Sequence, residues 1–226
     1  MMLGLLGMGL AHAQVSDAAF ASESGTTALS IAAPIEGTVL EAQVQLMPGF
    51  SSPTGLRLIP VVPRLAVGHA QRVDDLRWVV HIQGSGMLSG DGLDRGAAIG
   101  VGGAIGLEGP RGRMRAGLEA RAQSFDFRTF DDRYRQWTAG LDLSTGFDIR
   151  FVTILFRVGT TGGRLRSETI RRGERVEPFF QPRFALGVLA RPVERMSVGL
   201  VVNTAVQEPT PRVLWSPAIT LAYSLM

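Results

Sequence analysis

Few residues of this chain have the types and spacing needed for catalysis, and histidine is the scarcest. The 226-residue chain contains three histidines. Only His81 falls in the middle of a predicted strand, on the same face as Ser85. A serine hydrolase needs its serine, its histidine and an acid or amide within hydrogen-bond reach. Alternation turns this pair toward the interior of the predicted fold, so we favour a structural histidine over a catalytic one.

A second candidate is a group of acids that a peptidase would need beside a histidine. Asp126, Asp131 and Asp132 lie close together in sequence, but His69 falls at the opposite end of the predicted strands. The acids alternate with basic residues, so a solvated charge cluster is the simpler interpretation: Arg128, Arg133 and Arg135. We predict no catalytic residues, and an enzyme acting on lipid or peptide is the weakest hypothesis.

A glycine-rich stretch over Gly100–Gly106 superficially suits phosphate binding. A dinucleotide-binding loop needs a strand before it and a helix after it. Here the glycines alternate within a strand and a turn follows, so they more simply make room for neighbouring side chains. The chain has no cysteine, which excludes a disulfide framework and a thiolate metal site. We predict no cofactor and no metal ion.

The composition is apolar but contains no helical membrane span. Hydrophobic residues make up 45% of the chain, and the mean hydropathy is +0.16. No apolar run approaches the roughly 18 residues of a spanning helix. All 23 basic residues are arginine, and they alternate with apolar residues or lie beside acids. They form no single basic face, so we predict no nucleic-acid partner.

Two-residue alternation is the strongest structural signal. Within Thr38–Leu46 one face is apolar, with Leu40, Ala42, Val44 and Leu46, and the other is polar, with Glu41, Gln43 and Gln45, as in a strand with one apolar and one polar face. The pattern repeats to the last residue and predicts ten strands: Gly37–Met47, Leu56–Gly68, Leu76–Leu88, Ala97–Leu107, Arg113–Phe125, Trp137–Phe147, Arg150–Thr160, Phe179–Ala190, Met196–Val206 and Val213–Met226.

An even strand count places both chain ends on one side of a barrel. Connections after even strands are then short and periplasmic, for example at Asp148–Ile149. The longest connections become extracellular: Phe127–Gln136 and Thr161–Pro178. The second of these is a basic loop suited to lipopolysaccharide phosphates, and it contains Arg164, Arg166, Arg171, Arg172 and Arg175.

The polar face of these strands carries charges of both signs. Enclosed charges must be paired or hydrated, so we predict a lumen charge network that closes the pore or lines a narrow one. Its members are Glu41, Arg77, Arg115, Glu119, Arg121, Asp142, Arg157 and Arg183. The strand ends carry aromatic residues, as in the two interfacial girdles of membrane barrels: Trp78, Trp137, Phe147, Phe180, Trp215 and Tyr223.

By this alternation, by these girdles and by its last strand, Ile219–Met226, the chain resembles small Gram-negative outer-membrane β-barrels. The resemblance implies an all-β fold, a single up-and-down antiparallel transmembrane barrel of about ten strands, with 8 or 12 as alternatives. It also implies outer-membrane lipid and the barrel-assembly machinery as partners. We expect residues 1–13 to be a signal peptide ending in Ala11-His12-Ala13, residues 14–36 a lead-in, and residues 37–226 the barrel.

Three functions and one soluble fold remain open at this point. The favoured function is a structural or interaction role through basic extracellular loops and a charge-filled lumen. A narrow channel is the alternative, and an enzyme is the weakest. A soluble lipocalin-like barrel would reverse the two faces. For the lead-in we expect either a periplasmic segment or one tucked into the lumen, with a short strand at Thr27–Ile31.

Overall fold

The strands of the computed structural model close into one barrel. The structure describes residues 26–46, 61–88, 95–109, 112–128, 132–169, 173–207 and 212–225. Within these ranges ten strands pair antiparallel with their neighbours in the chain, and the first strand pairs with the last. Leu40 lies opposite Tyr223 at this closing seam. The predicted ten-strand, up-and-down barrel is therefore confirmed.

The observed strands follow the predicted order. Their bounds are β1 Gly37–Leu46, β2 Val61–Val73, β3 Leu76–Leu88, β4 Arg95–Glu108, β5 Met114–Arg128, β6 Asp132–Ile149, β7 Val152–Thr169, β8 Gly173–Val193, β9 Met196–Gln207 and β10 Arg212–Ser224. The third strand has the predicted bounds. The start of the predicted second strand, Leu56, lies outside the described residues, and the observed strand runs beyond the predicted end at Gly68, to Val73.

The two predicted long connections are wrong, because the strands continue through most of them. β5 ends at Arg128 and β6 begins at Asp132, while β7 runs to Thr169 and β8 begins at Gly173. β7 and β8 stay in register through this region, with Arg164 opposite Pro178. Charged composition suggested loops, but ladder hydrogen bonds between neighbouring strands hold the segments extended.

The barrel has two unlike ends. One end, the turn end, holds the start of β1, the end of β10 and three two-residue turns, at Asp74–Asp75, Arg150–Phe151 and Glu194–Arg195. The predicted turn at Asp148–Ile149 is displaced, because both residues belong to β6. The opposite end, the extended end, is tall on one side: β6, β7 and β8 have 18, 18 and 21 residues against 10 in β1.

The outward face is apolar and the inward face is largely polar. Outward side chains such as Leu118, Leu141 and Leu186 are about half exposed, at 51, 54 and 52%. Inward Arg77, Arg115 and Asp142 are almost fully buried. This polarity is that of a membrane barrel, in which the outer surface faces hydrocarbon, and it is the reverse of a lipocalin-like barrel.

The segment before β1 lies inside the barrel. Residues 26–36, here called the plug, form consecutive turns, so the predicted short strand at Thr27–Ile31 is wrong. Of the two placements that we expected for this segment, the described residues adopt the lumenal one. Leu29 and Ile31 are fully buried and pack in one cluster with wall residues such as Val79 and Leu189. None of the described residues forms a helix long and apolar enough to cross a membrane.

Candidate functional site: the plugged lumen and the outer wall

Glu41 anchors the first turn of the plug. Its carboxylate accepts hydrogen bonds from three successive backbone N–H groups, those of Thr27, Ala28 and Leu29, at 2.7, 2.9 and 3.0 Å. Alternation in β1 turns Glu41 inward, at the level where the plug passes. Because the plug has no regular structure, its backbone N–H groups need hydrogen-bond acceptors, and the buried carboxylate of Glu41 needs donors. The hydrogen bonds between them meet both requirements.

Glu119 holds the second turn in the same way. Its carboxylate accepts the N–H of Ile31 at 2.9 Å and the hydroxyl of Ser30. The second oxygen of this carboxylate lies 3.1 Å from the Arg157 guanidinium. Arg157 in turn donates to the carbonyl oxygen of Thr26 at 2.8 Å. Glu119 on β5 and Arg157 on β7 therefore form a direct ion pair, and each of them also binds the backbone of the plug.

Arginines satisfy the carbonyl groups at the other end of the plug. Arg115 Nε donates to the Ala32 oxygen at 3.1 Å, and Arg77 donates to the Ile35 oxygen. The Ser224 hydroxyl of the last strand donates to the Glu36 oxygen at 2.8 Å. Carboxylates thus bind the amides of the plug and guanidinium groups bind its carbonyls, on strands all around the barrel.

Glycines in the wall make the space that the plug occupies. A Cβ at Gly68 would lie 2.8 Å from Leu29 Cδ2, and one at Gly106 would lie 2.7 Å from Ile31 Cγ1. A Cβ at Gly146 would collide with the Ala32 carbonyl. Gly106 belongs to the glycine-rich stretch, so the structure supports room for packing over phosphate binding at this position.

Beyond the plug, the lumen continues as a polar network. Arg121 forms an ion pair with Asp142, and Arg183 donates to the Thr161 hydroxyl at 3.0 Å. Two cavities beside the plug and the network have volumes of about 20 and 10 Å³. Such volumes hold about one water molecule each. All eight predicted lumen charges point inward, and seven of them lie in ion pairs or plug contacts described above.

The histidine candidate, His81, lies on the inward face of β3. His81 points into the lumen and packs against Gly102, where its ring fills the space of a side chain. Its Nδ1 atom has no hydrogen-bond partner among the described residues, so Ser85 is not bonded to it. The part of the chain that the structure describes contains no group of three histidine, aspartate or glutamate side chains suited to a metal ion.

A second charged region, here called the arginine wall, lies on the outward face of the extended end. The register places arginines directly opposite one another: Arg95 faces Arg128, Arg128 faces Arg133, and Arg135 faces Arg166. The sixth member, Arg164, lies opposite Trp137. Like charges directly opposite in a sheet are destabilising. The sequence prediction of a basic loop missed this grouping, which depends on register across four strands, β4–β7.

Carboxylates neutralise only part of the arginine wall. Among the described side chains of this outward face, six arginines stand against three acids, Asp126, Glu168 and Glu174. The hydrogen bond from Arg133 is the main cause that lowers the pKa of Asp126. Arg166 lies 3.2 and 2.8 Å from the two glutamates. The contacts of Arg135 are longer, at 3.9 Å to Glu168 and 4.0 Å to Asp126. Arg164 has no ion pair with a described residue.

The other predicted loop arginines fall elsewhere. Arg175 lies on the opposite face of β8 from Val176, where it pairs with Glu177 at 2.6 Å. Arg171 and Arg172 lie outside the described residues. The prediction of one basic loop is thus replaced by a wall that includes only two of its members, Arg164 and Arg166.

Aromatic residues mark the two edges of the outward apolar surface. Trp137, Phe180 and Trp215 point outward toward the extended end and are 67, 58 and 55% exposed. Phe147 and Tyr223 point outward near the turn end, where Trp78 packs beside His69 at a ring distance of 5.4 Å. The predicted girdle residues therefore lie where membrane–water interfaces would meet the barrel.

An inward aromatic cluster at the extended end was not predicted. Phe125, Phe127 and Tyr134 are buried, with ring centroids 6.1 and 6.3 Å apart. A Cβ at Gly96 would lie 3.0 Å from Phe127, so this glycine leaves room for the cluster. Aromatic residues on one face of β5 are a sequence signal for this cluster, but the predicted connection Phe127–Gln136 contains both Phe127 and Tyr134.

Searches against known proteins find likeness in fold only. No family model matches the chain, and no curated protein matches it. The translocator domain of autotransporter NalP from Neisseria meningitidis matches with a TM-score of 0.45 and 10% identity, over 99% of this chain and 96% of that domain. The β domain of the Bordetella autotransporter BrkA matches with a TM-score of 0.45 and 16% identity, over 84% of this chain and 99% of that one.

A third solved structure, Neisserial surface protein A, matches with a TM-score of 0.41 and 12% identity, over 83% of this chain and 95% of that one. All three are outer-membrane β-barrel structures. This chain shares with them the fold of a closed antiparallel barrel, and its own outer face is apolar and its lumen charged.

Proposed function

We propose that this protein is a sealed outer-membrane barrel whose role is interaction, through the extended end, and not passage of solutes. The observation that carries the proposal is the plug: its backbone amides and carbonyls are held by Glu41, Glu119, Arg115 and Arg157. A lumen closed by such contacts leaves the outer surface as the part that meets other molecules.

The location and biogenesis of the protein belong to the same proposal. The apolar outward face, bounded by aromatic residues, suits the outer membrane of a Gram-negative bacterium. The turn end then faces the periplasm and the extended end the cell exterior. The last strand alternates outward Ile219, Leu221 and Tyr223, which suits recognition by the barrel-assembly machinery.

Conductance across planar bilayers tests the sealed state. The full-length protein is reconstituted, and insertion is checked separately by flotation with liposomes. We expect no steady unitary currents from the wild type. Glu119→Gln removes a charge that binds both the plug and Arg157, and we expect intermittent currents from this variant as water enters the disturbed site.

Two further results decide between sealing and transport. Arg166→Gln, on the outward face, provides the matched control and should stay silent like the wild type. Stable wild-type currents with defined ion selectivity would contradict the sealed state and favour the channel alternative. Silence of the Glu119 variant would show that the plug is held without this carboxylate.

A further inference from the structure

The arginine wall lies directly above an aromatic residue on the lipid-facing side of the barrel. Trp137 is outward and 67% exposed, with Arg164 opposite it on β7. Arg135 lies one alternation step farther along β6, opposite Arg166. One such step is about 6.6 Å along a strand. If Trp137 lies at the membrane interface, the three guanidinium groups lie at the level of lipid head groups.

The charges at this position are arranged for a ligand with more than one negative charge. Arg135 and Arg166 are direct cross-strand neighbours, an arrangement that costs stability unless negative charge lies beside them. Glu168 lies 3.2 Å from Arg166 but 3.9 Å from Arg135, and Arg164 has no ion pair with a described residue, so this part of the wall keeps a positive surplus. Among the described side chains of this face, arginines outnumber acids on β4, β6 and β7 and equal them on β5. Planar guanidinium groups bind phosphate oxygens in pairs, and Arg is better suited to this geometry than Lys.

We propose that Arg135, Arg164 and Arg166 form a binding site for the phosphate groups of a phosphorylated lipid in the outer leaflet, such as lipid A of lipopolysaccharide. The lipid's acyl chains would lie against the apolar wall below Trp137, where outward residues include Leu141 and Val158. The inference rests on the proposed interaction role and names its partner. A soluble polyanion would not need a site on the lipid-facing side of the wall.

Native mass spectrometry of the full-length protein in detergent tests the site. Protein is mixed with lipid A carrying both phosphates, or with the same lipid after removal of both. We expect the wild type to retain the phosphorylated lipid at least about tenfold better. The double variant Arg135→Gln/Arg164→Gln should lose about tenfold of this retention, because two charge-assisted contacts are removed.

Matched variants separate a phosphate site from general charge. Arg175→Gln removes an exposed arginine from the other face of the same β7–β8 hairpin and should leave retention unchanged. Arg164→Lys keeps the charge but loses the planar fork, so it should retain less than wild type and more than the double variant. Heat-modifiable gel mobility shows whether each variant is folded. If the double variant does not fold, the lower retention expected for the folded Arg164→Lys variant still tests the site.

Three outcomes would overturn the proposal. They are equal retention of the dephosphorylated lipid, an equal loss in Arg175→Gln, and lipid-independent binding of a soluble sulfated oligosaccharide with the same arginine dependence. Bilayer currents from the wild type would overturn the sealed state but leave the phosphate site standing. A silent bilayer without phosphate discrimination would overturn only the site.

Discussion

The lumen and the arginine wall contain the same residue types but arrange them in opposite ways. In the lumen, each cation that borders the plug has an acid or a backbone carbonyl as partner: Arg157 binds Glu119 and Thr26, and Arg115 binds Ala32. On the wall, arginines face arginines across three strand pairs. The structure thus pairs the charges that it encloses and leaves an excess of positive charge on the surface that it exposes.

We infer from this difference that the lumen charges chiefly determine stability and the wall charges chiefly determine binding. An enclosed charge without a partner costs several kcal/mol, so the lumen permits little imbalance. Exposed ion pairs contribute about 0–1 kcal/mol, so the wall can keep an imbalance at small cost. Substitutions inside the barrel should therefore change folding, and substitutions on the wall should change binding.

The largest expected effect comes from the plug anchor. In Glu41→Gln an amide NH₂ replaces one of the two oxygens that accept the N–H groups of Thr27, Ala28 and Leu29. We expect a loss of about 3–5 kcal/mol in the free energy of unfolding, as for other broken buried charge contacts. Urea unfolding in lipid vesicles, followed by tryptophan fluorescence, measures it.

Arg166→Gln is the outer counterpart of that change. It breaks two ion pairs on an exposed face and should shift the same free energy by less than about 1 kcal/mol. Equal losses in Glu41→Gln and Arg166→Gln would remove the distinction between the two regions.

A charge on the lipid-facing surface should have the next largest effect. Leu118 and Leu186 point outward and are about half exposed, at 51 and 52%. Arginine in place of either should cost about 2–4 kcal/mol if the site is near the bilayer midplane. Vesicle refolding yields measure the effect, with Leu118→Ile as the control. Tolerance of arginine at both positions would contradict the membrane assignment.

Crowding of the plug should cost somewhat less. A Cβ at Gly146 would meet the Ala32 carbonyl, so Gly146→Ala forces the plug to move and should destabilise by about 1–3 kcal/mol. A Cβ at Gly86 meets no atom within 4 Å, so Gly86→Ala is the matched control. If both variants unfold at the same urea concentration, the plug does not lie against β6.

The smallest expected effect is the acid sensitivity of the wall. The pKa of Asp126 is lowered in the folded protein, chiefly by the hydrogen bond from Arg133. Its ion pairs therefore contribute stability that is complete above its unfolded pKa of about 3.8 and is lost as the pH falls through the folded value. Asp126→Asn should reduce the loss of stability below about pH 4. An unchanged acid profile would show that this pair is not coupled to folding.

Alternation predicted the parts of the fold that depend on one strand at a time. The inward direction of Arg115, Glu119 and Arg121 follows from period two in β5, and so does the outward direction of Leu118. The bounds of β3 also follow, because a two-residue turn and an apolar pattern define them. These features need no knowledge of which strands are neighbours.

The remaining features depend on several strands at once. The plug has no periodic pattern, and its turns are set by Glu41 and Glu119, which come from strands on different sides of the barrel. The arginine wall appears only when β4–β7 are in register, which brings Arg95 and Arg128 together. From its composition the charged stretch from Thr161 to Pro178 predicts a loop, because the pairing of β7 with β8 is not visible in either strand alone.

The placement of the plug can be tested directly, because the chain has no cysteine of its own. The hydroxyl oxygens of Thr27 in the plug and Thr220 in β10 lie 3.2 Å apart. Thr27→Cys with Thr220→Cys should form a disulfide on mild oxidation of the folded protein, seen as a faster-migrating band after heating without reductant. In the wild type the Thr204 hydroxyl on β9 donates to the backbone carbonyl of Phe184 on β8 and not to the plug. The control pair Thr27→Cys with Thr204→Cys should therefore form no disulfide. Free thiols in the first pair, both reacting with a membrane-impermeant maleimide, would contradict a plugged lumen.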